Sequence, residues 1–62
     1  MRYRHYKGGV YELVCEAMLE SDRTPMMVYR GEDGVVWTRP KDVFFELVEA
    51  GGARVPRFAP LA

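Results

Sequence analysis

The sequence predicts a mainly β fold, built from a small, strongly bent antiparallel sheet with one short helical turn. Turn-forming residues recur along the chain and leave segments of mostly five to eleven residues between them. That spacing suits short strands joined by tight turns. Two of the segments flank Asp33-Gly34, and an Asp-Gly pair is a strong hairpin signal. The 62 residues are expected to form one small β-barrel-like domain over positions 1–62, because barrel closure removes exposed strand edges.

The first long segment, Val10 to Glu20, is compatible with a strand or a helix. A strand places an apolar set on one face, namely Tyr11, Leu13, Cys15, Ala17 and Leu19. A helix would stack three glutamates at four-residue spacing, where like charges repel. It would also lack an N-cap residue and carry Glu20 at the negative end of its dipole. We therefore expect a strand, with Cys15 buried.

Two further strands, Met26 to Arg30 and Val35 to Arg39, flank the turn at Gly31 to Gly34. An even loop length places one uncharged set inward, namely Met27, Tyr29, Val36 and Thr38. The opposite face then carries two arginines beside the tryptophan: Met26, Val28, Arg30, Val35, Trp37 and Arg39. A three-residue loop would reverse this assignment. We expect the even loop, with Trp37 turned at least partly outward.

The C-terminal third begins at Pro40, which ends the third strand and suits the first turn of a helix. That turn is expected within Lys41 to Glu46. Three apolar residues in and beside this turn should pack onto the sheet, namely Val43, Phe44 and Leu47. Phe45 is left unassigned. A last hairpin is expected around Gly51-Gly52, formed by Val48-Glu49 and Ala53 to Phe58. The tail from Ala59 to Ala62 is expected to be loose.

Composition excludes several classes of protein. Nine basic and nine acidic residues cancel, so no global field draws the chain to nucleic acid. No apolar run approaches the roughly 18 residues of a membrane span, and the first residues lack the apolar core of a signal peptide. Cys15 is the only cysteine, which favours the cytoplasm. A chain this short is marginally stable alone, so it needs efficient packing or a homodimer.

The ordered segments resemble a small bacterial family, the domain-of-unknown-function 1653 family, over nearly the whole chain. The likeness is carried by Tyr3-Arg4-His5-Tyr6-Lys7-Gly8-Gly9 followed by Tyr11, then Thr24, Val28-Tyr29-Arg30, Trp37-Thr38-Arg39-Pro40, Asp42 with Phe44, and Val55-Pro56-Arg57-Phe58. Met27 stands where members usually have a valine, and the loop before Trp37 is short. The resemblance implies a small SH3-like barrel. It carries no catalytic residues, since the family's activity is unknown.

No catalytic group is expected. His5 is the only histidine, and general acid–base work needs a partner that the neighbouring sequence does not offer. Cys15 beside Glu16 lacks the electropositive setting of a nucleophile. Ser21 has no nucleophile-elbow context. We also expect no metal and no cofactor, because the chain has no cluster of His and Cys.

The strongest functional signal is the interleaving of aromatic and basic residues. Arginine can stack on an indole and still present its N–H groups to a phosphate or carboxylate. The expected ligand-binding residues are Tyr29, Arg30, Trp37, Arg39, His5, Lys7 and Arg57. They predict a non-catalytic module that binds a nucleotide, a nucleic acid or an acidic peptide, with no membrane. The alternative is a homo-oligomeric structural or protein-interaction domain, in which a second copy covers this surface.

Overall fold

A computed structural model describes residues 1–62, which form seven strands and one helical turn. The strands are β1 (Arg2–His5), β2 (Val10–Leu19), β3 (Thr24–Gly31), β4 (Val36–Pro40), β5 (Leu47–Ala50), β6 (Ala53–Pro56) and β7 (Phe58–Leu61), and the helical turn is α1 (Lys41–Phe44). The mainly β class with one short helix is confirmed. The helix, at four residues, is not long enough to cross a membrane.

Five strands form one antiparallel sheet in the order β4-β3-β2-β1-β7, and β5 pairs only with β6. The edge strands β4 and β7 do not pair with each other, so the sheet does not close through hydrogen bonds. The strand β7 corrects one expectation, because the tail is not loose. Its residues pair with β1 from His5 opposite Phe58 to Arg2 opposite Leu61. The buried ring of Phe58 anchors this strand.

A β-bulge at Val14 interrupts the alternation of β2. Leu13 lies opposite Tyr29, whereas Cys15 lies opposite Val28, so Val14 is the extra residue. Beyond the bulge, the odd-numbered residues of β2 lie on the face of the sheet opposite to that of Leu13. Cys15 is therefore exposed, and its predicted burial was wrong. Glu16 is turned toward α1 instead, where it accepts a hydrogen bond at 2.8 Å from the ammonium of Lys41.

The turn between β2 and β3 is held by Asp22. Its Oδ1 accepts hydrogen bonds from the backbone N–H of Thr24 at 3.0 Å and from the Thr24 hydroxyl at 2.6 Å. The hydroxyl bond, followed by the backbone bond, lowers the pKa of the Asp22 carboxyl. Arg23 completes the turn with φ of 62°, the only positive φ among non-glycine residues.

The loop between β3 and β4 has three residues, so the expected even loop was wrong. The N–H of Gly31 donates to the carbonyl of Val35 at 2.9 Å, which leaves positions 32–34 between the paired residues. Gly34 supplies the positive φ of 85° that such a turn needs. Tyr29 consequently lies opposite Trp37, and Met27 opposite Arg39. These four side chains share one face of the sheet, and Arg30 projects from the other.

The core lies on the face of the sheet that carries Tyr29, called the inner face below. Its central residue is Phe44 of α1, which is 0% exposed. The rest of the cluster comes from three strands: Tyr3, Met27, Tyr29 and Phe58. The expected packing of Phe44 is confirmed. Leu47 is 48% exposed, because it lies on β5, which is outside the five-stranded sheet, so its expected packing was wrong.

The β5–β6 hairpin is confirmed around Gly51-Gly52. Val48 lies opposite Val55, and Ala50 opposite Ala53. Both glycines have positive φ, 59° and 80°, as a two-residue hairpin turn requires. This hairpin joins α1 to β7 and so carries the chain back to the five-stranded sheet.

Candidate functional site

The inner face opens into a cavity beside the core, called the aromatic–basic cavity here. Its volume is about 230 Å³, and six residues line it: His5, Tyr11, Tyr29, Trp37, Arg39 and Phe58. Four of them are aromatic and two are basic or titratable. Four of the residues expected from the sequence are therefore brought together, namely Tyr29, Trp37, Arg39 and His5.

Strand pairing places these side chains side by side. Tyr29 of β3 is opposite Trp37 of β4, and His5 of β1 is opposite Phe58 of β7. Directly opposed residues lie within contact distance of each other. Tyr11 of β2 stands between the two pairs, with its ring 5.5 Å from that of Tyr29 and 5.7 Å from that of Phe58. All five strands of the main sheet thus contribute to the cavity wall.

Trp37 differs from every other aromatic residue of the chain. Each of the other seven tyrosines and phenylalanines packs against at least one aromatic or imidazole ring. The indole of Trp37 packs against none, and 50% of the residue is exposed. Its N–H donates no hydrogen bond within the protein. An indole in this state keeps a face available for a ligand ring.

Arg39 is a cation without a carboxylate partner. The three ion pairs of the chain involve the N-terminus, Lys41 and Arg57, and the guanidinium of Arg39 forms none. It lies instead over the ring of Phe58, with Cζ 5.7 Å from the ring centre. A guanidinium on an aromatic ring keeps its N–H groups in its own plane. These donors remain free for an anion at the cavity.

His5 is held in one orientation by its neighbours. The backbone N–H of Lys7 donates to its Nδ1 at 3.2 Å, so Nε2 carries the proton in the neutral form. Its ring lies 4.9 Å from that of Phe58 and 4.8 Å from that of Tyr6. Burial lowers the pKa of His5 below 6.5, and three cations lower it further: Arg39, Arg57 and Lys7. The imidazole is consequently neutral at pH 7 and sits in a region of positive potential.

The other expected residues lie outside the cavity wall. Lys7 is in the turn after β1, with its ammonium 5.7 Å from the centre of the Tyr6 ring. Arg57 reaches Glu46 at 3.7 Å, and its Nε is buried without a hydrogen-bond partner. Both act on the cavity only through charge. Arg30 is on the opposite face of β3, in a depression that it lines with Arg2, Glu12 and Glu32.

Sequence reasoning missed Tyr11 and Phe58 as cavity residues. Alternation places Tyr11 on the apolar face of its strand, but only the pairing across the sheet brings it to the cavity. Phe58 follows Arg57, whose charge is the stronger signal in the sequence. Nothing in the sequence of the four-residue tail indicates that it pairs with β1. The sequence therefore does not predict that Phe58 lines the cavity.

A second cavity, of about 270 Å³, adjoins the first. Both are lined by Tyr11 and Trp37. The remaining wall of this acidic cavity comes from the turn after β3 and the start of β2: Gly9, Val10, Gly31, Glu32 and Asp33. The structure brings together no group of three or more His, Cys, Asp or Glu side chains that would hold a metal ion.

Comparison with known proteins adds one match. A family model described as a protein of unknown function, DUF1653, matches residues 1–60. No curated protein and no solved structure matches the chain.

Proposed function

This chain belongs to the DUF1653 family, and from that premise we propose that it is a non-catalytic module that binds a nucleotide unit, either free or within a single strand of nucleic acid. The observation that carries the proposal is the aromatic–basic cavity. It combines an indole without a ring partner, a guanidinium without a carboxylate partner and an imidazole.

The indole of Trp37 supplies the surface for a base. A base stacked on an aromatic side chain contributes about 1–3 kcal/mol, and every base has a face that can stack. Trp37 is half-exposed and has no stacking partner within the protein. Tyr11 and Tyr29 add further aromatic wall. An acidic peptide has no obligatory flat ring, so this wall favours a nucleotide over a peptide.

The phosphate would be bound by Arg39, with His5 next to it. Arginine is suited to phosphate because its planar fork can donate two parallel hydrogen bonds. Lys7 and Arg57 add positive potential at His5. This local charge arises within a chain of zero net charge, so we expect modest affinity that falls moderately as the salt concentration rises.

Three finer points belong to the same proposal. His5 is surrounded by aromatic rings and cations, with no carboxylate or hydroxyl bonded to it, which supports binding rather than acid–base catalysis. The sheet order, in which β1 joins both β2 and β7, supports a partly open barrel of SH3-like type. A single unpaired cysteine supports a cytoplasmic location.

The test is a titration of Trp37 fluorescence with a short single-stranded oligonucleotide at low salt. Trp37 is the only tryptophan, so its quenching reports binding at the cavity. We expect the logarithm of affinity to fall with the logarithm of salt with a slope of about −1.4 to −2.1, as for two or three phosphate contacts to a single strand. Absence of quenching at low salt, even at millimolar nucleotide, would refute the proposal.

Two matched variants locate the site. Arg39→Gln removes the free guanidinium of the inner face and should weaken binding and flatten the salt slope by about 0.7, the loss of one phosphate contact to a single strand. Arg54→Gln makes the same chemical change on β6, outside the five-stranded sheet, and should leave binding unchanged. Equal losses in the two variants would show that binding is not at the cavity.

A homo-oligomer is the second candidate, and the edge strand β4 is the observation that favours it. Its outer backbone groups are unpaired in the sheet, and the exposed side chains Val35, Val36 and Trp37 are adjacent there. An exposed apolar edge is a template for pairing with another chain. Sedimentation across a hundredfold range of concentration tests it. A dimer that Val36→Lys dissociates would support the homo-oligomer, and a monomer throughout would exclude it.

A further inference from the structure

Two adjoining cavities share the ring of Trp37, and their walls carry opposite charges. Arg39 and His5 line one cavity, and Glu32 and Asp33 line the other. Each cavity is smaller than the roughly 300–1,000 Å³ that is typical of a small-molecule site, whereas the two joined fall within that range. A ligand that fills the site therefore extends across Trp37 and meets cations at one end and carboxylates at the other.

The carboxylate of Glu32 is the freer of the two acids. Its only hydrogen bond is a long one, 3.4 Å from the N–H of Val10 to Oε1. Asp33 is committed to the turn, because its Oδ1 accepts the N–H of Val35 at 3.0 Å. Neither acid forms an ion pair. Glu32 thus retains an acceptor oxygen with no partner in the protein, at the rim of the acidic cavity.

We propose that the site selects guanine, with the base stacked on Trp37, its Watson–Crick edge on the carboxylate of Glu32 and its phosphate on Arg39. This rests on the proposed function and specifies its ligand. Guanine is favoured by the pattern of its hydrogen-bond donors. Guanine presents two adjacent N–H donors, N1–H and the 2-amino group, which match the two oxygens of a carboxylate.

The other bases fit a carboxylate less well. Adenine and cytosine each place one amino donor beside a ring-nitrogen acceptor, and that acceptor repels a carboxylate. Uracil places its single N–H between two carbonyl acceptors. A mismatched partner leaves a polar group unpaired, and a good bidentate contact to a base is worth about 1–3 kcal/mol of discrimination. At this half-exposed site we expect the lower part of that range, a preference of about five- to tenfold for guanine.

The test compares four nucleoside monophosphates and inosine monophosphate by calorimetry and by quenching of Trp37. Guanosine monophosphate should bind about five- to tenfold more tightly than the others. Inosine monophosphate keeps N1–H but lacks the 2-amino group, so it should lose most of that preference. Glu32→Gln should reduce the preference for guanine, because it weakens the binding of guanosine monophosphate and relieves the repulsion between the carboxylate and the ring nitrogen of adenosine monophosphate. Glu49→Gln, on the distant β5 strand, is the matched control and should change neither.

The outcomes separate this inference from the function on which it rests. Equal binding of all the nucleotides would overturn guanine selection and leave nucleotide binding in place. Binding of none would overturn both. Tighter binding of argininamide than of any nucleotide would show that the acidic cavity receives a cationic side chain, which also overturns the inference. Circular dichroism of Glu32→Gln confirms that the variant is folded before its preference is compared.

Discussion

The ring of Phe58 stacks parallel to the ring of Phe44, with centroids 4.2 Å apart and an angle of 6° between their planes. Phe44 is sealed inside the core, whereas Phe58 also forms part of the cavity wall. One stacked pair therefore joins the helical turn to the last strand, with Phe44 packed behind the ring that lines the cavity. The core and the proposed binding site therefore share this contact.

Replacing Phe44 should be the most destabilising single change in the chain. Phe44→Ala removes the central ring of the core, and such a substitution costs about 3–5 kcal/mol. That loss approaches the entire stability of a small domain, so we expect the variant to be largely unfolded at 25 °C. Phe45→Ala is the matched control, since Phe45 is half-exposed, and it should remain folded. Urea unfolding followed by circular dichroism measures both, and similar midpoints would contradict this account of the core.

Stability should rise with pH in the range where His5 titrates. The pKa of His5 is lowered in the folded chain, first by burial and then by Arg39, Arg57 and Lys7. Between that pKa and 6.5 the unfolded chain binds more protons, so the free energy of unfolding increases with pH. The contribution is complete above about 6.5 and is lost as the pH falls through the folded pKa.

His5→Gln tests this dependence. Urea midpoints between pH 5 and 7.5 should rise with pH in the parent chain and be flatter in the variant, because glutamine does not titrate. The resonance of the His5 ring gives the folded pKa directly by NMR. A folded pKa above 6.5 would reverse the sign and contradict the positive environment described for this residue.

Gly31→Ala should destabilise the chain even though the φ of Gly31 is not positive. A Cβ at this position would lie 3.0 Å from Oδ1 of Asp33 and 3.2 Å from Cε2 of Tyr11. Asp33 is held by its bond to Val35, and the Tyr11 ring is packed against the rings of Tyr29 and Phe58. Because neither neighbour can move freely, we expect a loss of about 1–2 kcal/mol. Thermal unfolding measures it, with Val35→Ala as the control, and an unchanged midpoint would show that the ring adapts.

Arg23→Gly should stabilise the chain. The left-handed conformation at Arg23 costs a non-glycine residue about 1–2 kcal/mol, and glycine avoids that cost. Against this, the greater entropy of glycine in the unfolded state destabilises the folded chain by about 0.5–1 kcal/mol. The net gain of about 0.5–1 kcal/mol corresponds to a rise of about 2–8 °C in Tm. Arg54→Gly, in the extended strand β6, should lower Tm instead. A fall in Tm for Arg23→Gly would indicate that its side chain contributes more than the backbone strain costs.

Local patterns in the sequence specified much of the strand structure. Alternation identified β2, and the Gly51-Gly52 turn located the last hairpin. The incorrect predictions arose where a single extra residue changes the face of the sheet on which the following side chains lie. The extra residue Val14 turned Cys15 outward, and the three-residue loop closed by Gly34 moved Trp37 and Arg39 to the face of Tyr29. No alternation pattern reports a bulge or a loop length, because both depend on backbone geometry at a single residue.

The candidate site was foreseen in composition but not in arrangement. Interleaved rings and cations identified Trp37, Arg39, Tyr29 and His5, which do share one cavity. These residues come together only because β3 pairs with β4 and β1 pairs with β7, and the two pairings are independent of each other. The second pairing uses a short tail that carries no strand signal, so only the folded structure places Phe58 at the cavity.

The bulge at Val14 also creates a site for chemical labelling. It turns the sole thiol of the chain to solvent on the face opposite Trp37. A maleimide fluorophore attached to Cys15 would report binding by energy transfer or anisotropy without touching the cavity, and no second thiol would compete for the label. The same thiol makes a reducing agent necessary during purification, since oxidation would link two molecules back to back.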